Sequence, residues 1–169
     1  NSVLATGAVT VNGGILDIKT FSDAVGAVTL IDGEINGTTG VLTGTSYAVQ
    51  DGIISAILAG SGAMTKTTTG TVTLTGVSTR TGATTISAGI LSVSTIGNGG
   101  VAGNLGAATS TEANLTLNGG TLRYTGTTAT TDRNFVLSAA TTSTINVTTN
   151  TLTLTGASTS TSGALIKDG

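Results

Sequence analysis

The chain has no Cys, His, Pro or Trp, and its four aromatic residues are Phe21, Tyr47, Tyr124 and Phe135. The lack of Cys excludes a disulfide framework and thiolate chemistry, and fits an exported bacterial protein. With neither His nor Cys, no Ser-His or Cys-His nucleophile pair can be assembled. Charge is scarce too, at 8% of 169 residues with a formal net charge of −2. The basic residues Lys19, Lys66, Arg80, Arg123, Arg133 and Lys167 are scattered. No stripe exists to track a phosphate backbone, so no nucleic acid is expected. Long apolar runs are missing as well. A membrane helix needs about 18–20 such residues, and the most apolar window, 52–60 (GIISAILAG), has seven between its glycines. No membrane insertion is expected of this segment. The start at Asn1 carries no basic region followed by an apolar one, as a signal peptide would. With an end in mid-pattern at Lys167-Asp168-Gly169, 1–169 reads as one β-solenoid segment of a longer repetitive chain.

What is abundant is Thr, with 39 residues, and Gly, with 26. Thr is β-branched and suits a pleated surface facing water. The clearest stretch is 62–93, GAMTKTTTGTVTLTGVSTRTGATTISAGILSV. It alternates apolar and hydroxyl residues at 71–75 (TVTLT), 85–87 (TIS) and 90–94 (ILSVS), with corners at Gly70, Gly76, Gly82 and Gly89. Period-two alternation bounded by glycine predicts short half-buried strands. The same alternation argues against disorder. No segment lines up helix formers at 3.6-residue spacing, so the chain is all-β.

Units recur at long range. VTVNGGILDI at 9–18 resembles LTLNGGTLRY at 115–124, aligning Val9 with Leu115, Val11 with Leu117, Leu16 with Leu122 and Ile18 with Tyr124. SGAMTK at 61–66 returns as SGALIK at 162–167, and TVTLTG at 71–76 as TLTLTG at 151–156. Such recurrence points to a repeat architecture. The glycine-rich 97–104 (GNGGVAGN) has the weakest alternation and reads as a wide loop leaving one corner; 139–143 and 157–162 read as softer turns.

Two architectures accommodate many short strands: an antiparallel sandwich or barrel, and a β-solenoid with parallel coils. Strands of three to five residues, aliphatics inward, Thr outward and few aromatics favour the solenoid. At about 20 residues per coil the chain makes roughly eight coils. With about 4.8 Å between neighbouring strands, the rod is on the order of 40 Å long.

Within 62–93 the sequence resembles the autotransporter-associated β-strand repeat, also called the passenger-associated transport repeat. The matching residues are Gly-Ala-Met-Thr-Lys at 62–66, Gly-Thr-Val-Thr-Leu-Thr-Gly at 70–76, Thr-Gly-Ala-Thr-Thr-Ile at 81–86 and Ala-Gly-Ile-Leu at 88–91. The chain departs from the family at Ser78-Thr79-Arg80, where the family commonly has Asn-Thr-Tyr. The resemblance implies a right-handed parallel β-helix exported to the bacterial surface in large adhesin-like proteins. It implies no catalytic residues.

Candidate sites are few. Asp32 and Glu34 are the two acids close enough on one strand side to hold a weak calcium ion or to serve as a carboxylate pair, with Asp17 near them if coils stack. The plainer reading is a solvated acidic edge, so no cofactor and no metal are expected and the chain is not expected to be an enzyme. The NGG turns lack the Lys and following helix of a phosphate loop. If Leu16, Ile18, Val28, Leu30, Ile54, Ala56 and Leu58 point inward, then Ile15, Ile31, Ile53 and Ile57 point outward and form a candidate protein-contact patch. The expected role is a structural rod segment: adhesin shaft, spacer or self-associating extracellular fibre at the cell surface. Its expected partners are neighbouring coils of the same parent chain, or identical subunits stacked end to end. The alternative is a binding module whose Thr-rich face meets host or matrix glycans or another periodic surface.

Overall fold

A computed structural model describes residues 6–159 and 161–169. The turn expected over 157–162 includes residue 160, which lies outside the described residues. All ladders between the named strands are parallel, and the strands form a 15-stranded sheet plus a separate two-stranded one. Parallel pairing needs a full circuit of chain before each strand meets its counterpart. Here the circuit is one coil, and about eight coils follow one another. The fold is an all-β parallel solenoid. Among the described residues no helix is long and apolar enough to cross a membrane.

Each regular coil has three sides. The first face carries residues 9–11, 28–30, 46–49, Ala63–Lys66, Thr84–Ile86, Leu115–Leu117, Phe135–Leu137 and Ser158–Thr159. The second carries 15–17, 34–36, Gly52–Ile54, Thr71–Leu74, Ile90–Val93, Thr121–Tyr124, Thr142–Val147 and Ala164–Asp168. The third begins with 23–25, 41–43 and Ile57–Ala59, and resumes at Ala129–Thr131 and Leu152–Leu154. The long strands Asp23–Asn36 and Val41–Val49 run round corners from one face to the next.

Alternation places every second side chain inside, and stacking turns these into continuous rows. On the second face one row is Leu16, Ile35, Ile54, Leu74, Val93, Tyr124, Val147, with successive members 19, 19, 20, 19, 31 and 23 positions apart. On the first face a row runs Val11, Leu30, Val49, Lys66, Ile86, Leu117, Leu137. Most of these residues are buried and join one apolar core. Each buried aliphatic of this size contributes about 1.5–3 kcal/mol through removal from water. The predicted coil length therefore holds until the sixth coil.

Glycine is required at the corner between the first and second faces. Gly14, Gly33 and Gly52 all have positive φ, at 67°, 95° and 114°. A Cβ on Gly33 would lie 2.3 Å from the Gly14 carbonyl oxygen, and one on Gly52 2.1 Å from that of Gly33. Asp32 and Asp51 precede two of these glycines and accept their amide hydrogens at 2.7 and 2.8 Å. In the seventh coil Ala140, with φ 56°, takes the left-handed position instead.

The long-range sequence recurrences divide. Val9 and Leu115 share one inner row, and Val11 and Leu117 another. Leu16, however, shares its row with Tyr124 rather than Leu122, because the corner between the two faces is longer in the later coils: row members are five positions apart at Val11 and Leu16 but seven at Leu117 and Tyr124. The other two pairings are not structural equivalents. Met64 lies on the first face and Leu165 on the second; Thr71–Leu74 lies on the second and Leu152–Leu154 on the third. Period-two alternation fits any face, so a short motif carries no face label.

Candidate functional surfaces and the buried cations

The four outward isoleucines do not meet in one patch. Ile15 and Ile53 sit on one outer row of the second face, with Glu34 between them, and are 65% and 39% exposed. Ile31 is half-buried where the first face turns into the second, and Ile57 is half-buried on the third face. Outward orientation was legible from alternation; distribution round the rod was not.

The acids serve local bonds. Glu34 accepts from the Asn36 side-chain amide at 2.9 Å, and Asp17 accepts the Lys19 backbone amide hydrogen at 2.8 Å. Asp17 pairs across the ladder with Asn36 rather than with Asp32 or Glu34. Among the described residues no group of three or more Asp, Glu, His or Cys is gathered as metal ligands would be.

A single hydroxyl row marks the first face. Its outer positions read Thr10, Thr29, Ala48, Thr65, Thr85, Thr116, Val136, Thr159. Neighbouring members are one strand spacing apart, about 4.8 Å. Two concavities lie at the ends of the solenoid, one over 9–16 and the other over 147–152 with Lys167 and Gly169.

Composition gives no hint that three of the six basic residues are buried: Lys66, Arg80 and Arg133. Lys66 occupies an inner position between Val49 and Ile86, and its ammonium reaches the corner to donate to the carbonyls of Thr68 and Ala88. Burial lowers its pKa, with nearby Asp51 opposing. Arg80 is fully buried beside the third face. It donates to the carbonyls of Gly82 at 2.8 Å and Leu105 at 3.3 Å and to the Thr84 hydroxyl. Burial pushes Arg80 down to about 10, with Tyr47 opposing; that is still far above neutrality, so the guanidinium is buried charged. Tyr47 is itself raised by burial; its hydroxyl accepts from the Gly44 amide at 2.7 Å and faces the carbonyls of Leu42 and Ala59. Arg133 is lowered by burial, with Asp132 opposing. Of the three, only Lys66 had a sequence signal, since it falls in phase with inward Met64.

Lys66→Met places an unbranched apolar chain in an aliphatic row and leaves two carbonyls at half-buried corners that water reaches. It is expected to raise stability by about 1 kcal/mol at neutral pH, as replacing buried charges by apolar residues often does. The cost of burying charged Lys66 is fully present below its lowered folded pKa. It is relieved as pH climbs from that value to the ordinary 10.5. The advantage of Met should therefore shrink on the alkaline side, as thermal melts from neutral pH upward would read; an unchanged or widening advantage contradicts it.

Among known proteins, the chain is 40% identical over 116 residues to the adhesin BmaC autotransporter of Brucella suis biovar 1 (strain 1330). The match covers 66% of this chain and 3% of that relative, so the chain spans only a small fraction of the relative's length. No family profile matches the chain. No solved structure matches it significantly. With the repeat-like stretch at 62–93, parallel coils built on it and similarity to part of an autotransporter adhesin, the chain is a β-solenoid consistent with the repeat region of an autotransporter passenger.

Proposed function

We propose that the segment is a shaft or spacer in a bacterial surface protein, lying outside the cell or attached to the outer membrane, with a mechanical rather than a catalytic role. The observation that carries this reading is the set of inner rows, continuous from coil to coil, which makes a stiff element about 38 Å long at about 4.8 Å per coil. Similarity to part of an autotransporter adhesin supports the surface location. The partners proposed for the two ends are the preceding and following coils of the parent chain. In-frame deletion of the segment from the parent should shorten the surface fibre by about 4 nm and leave adhesion intact. Lost adhesion at unchanged fibre length would sink the shaft reading.

A second reading rests on the Thr row of the first face, whose evenly spaced hydroxyls could meet glycans or another periodic surface. Ala48 and Val136 interrupt it, so the shaft reading is preferred. Thr65→Val combined with Thr85→Val should leave glycan-array and ice-recrystallisation signals of the purified segment at background, where the wild type also stands. A wild-type signal abolished by the pair would favour the binding module. Side-to-side association through the outward isoleucines, Ile53 exposed and Ile57 half-buried, is checked by Ile53→Thr and Ile57→Thr in sedimentation.

A further inference from the structure

The third face is broken. Residues 78–80 still bond to the coil before them, Thr79 and Arg80 donating their amide hydrogens to the Leu58 carbonyl at 2.8 and 3.0 Å. Where the next third-face strand would lie, the excursion 97–108 intervenes. It meets Ser78 through an antiparallel bridge with Gly103, and the Ala107 amide donates to the Arg80 carbonyl at 2.7 Å. Beyond it, Ala129–Thr131 pairs only with Leu152–Leu154, as a sheet of its own. Among the described residues, the strand ladder that joins coils elsewhere is thus missing at this step of the third face, where one backbone bond, from the Asn134 amide to the Ser110 carbonyl at 3.3 Å, crosses nearby.

Side chains of the seventh coil take its place. Arg133 donates through Nε to the Gly97 carbonyl at 2.9 Å, through Nη1 to Ala108 at 3.1 Å and through Nη2 to Gly106 at 2.7 Å, with Asn98 and Val101 carbonyls at 3.4 Å. The Thr131 hydroxyl donates to Gly97, and Asp132 and Asn98 each bond the other segment's backbone. From the other side Arg80 reaches Leu105. We infer that Arg133 is a latch: it holds the third face together across the break, and its release opens that face while the first and second stay zipped. The rigid fork of five donors suits this task, because a lysine offers one point charge and cannot span carbonyls spread from Gly97 to Ala108. The inference depends on the fold alone and not on where the segment is displayed.

The test is hydrogen exchange on the full chain carrying Arg133→Gln and, separately, Arg133→Lys. Amides of 97–110, 129–131 and 152–154 should exchange roughly tenfold or more faster in both variants, with residues 28–74 unchanged. Equal acceleration in all coils, no acceleration in the three segments, or failure of both variants to fold would each overturn the latch. The first and last of these would make Arg133 a determinant of the whole core.

Discussion

Gly52→Ala is expected to destabilise the solenoid by about 3 kcal/mol, lowering the melting temperature by roughly 6–12 °C. Two costs add. The backbone there has φ 114°, which side chains rarely adopt, and the new Cβ would press to 2.1 Å from the Gly33 carbonyl oxygen. That oxygen belongs to a neighbouring coil held by ladders on both sides, so it cannot yield alone. Gly13→Ala is the control: its φ is 90°, but nothing lies within 4 Å of the added atom. It should cost about 1 kcal/mol, the backbone term alone. Calorimetry of the two variants decides the matter. Equal melting points would mean that the close stacking of corners is unimportant and only conformation counts.

Leu91→Ala is expected to cost about 3 kcal/mol through lost burial and the cavity left behind. Leu91 is fully buried between Val72 and Leu122 in an inner row, so neighbours on both sides lose contacts. The rows are fixed at one strand spacing by backbone hydrogen bonds, which limits how far they collapse into the void. Thr73→Ala, on the outer side of the adjacent strand, should change stability by no more than about 0.5 kcal/mol. Similar losses for the two would contradict the inward and outward assignment on this face. Because such a stack behaves as a quasi-one-dimensional array, exchange should show the loss first in the coils around Leu91.

The fold was legible because its rule is local. Thr71–Leu74, Thr84–Ile86 and Ile90–Val93 all lie where alternation between glycines puts them. The coil length of about 20 taken for a solenoid agrees with the 19- and 20-position steps of the second face. Face identity was not, and SGAMTK at 61–66 and SGALIK at 162–167 lie on different faces for that reason. The isoleucines fail as one patch on the same account. Arg80 and Arg133 were invisible because most of Arg80's partners and all of Arg133's are main-chain carbonyls, which carry no residue signature. The loop over 97–104 was legible from its glycines, but the bonds that anchor the excursion 97–108 were not. Asn104, which bonds Ser94, Thr95 and Gly76, and Arg133 supply that anchoring.

The spacing of the inner rows also governs how such a chain can acquire its structure. Partners in the first five coils are 16 to 20 positions apart, so no stabilising contact waits for distant sequence. Loop closure over that length carries a modest entropic cost, and each finished coil templates the next. Growth can proceed from either end and keep pace with a chain delivered gradually. The 31-position step into the sixth coil is the longest closure among the ladders, against 20 to 23 positions in the steps that follow. A pause in vectorial folding belongs there.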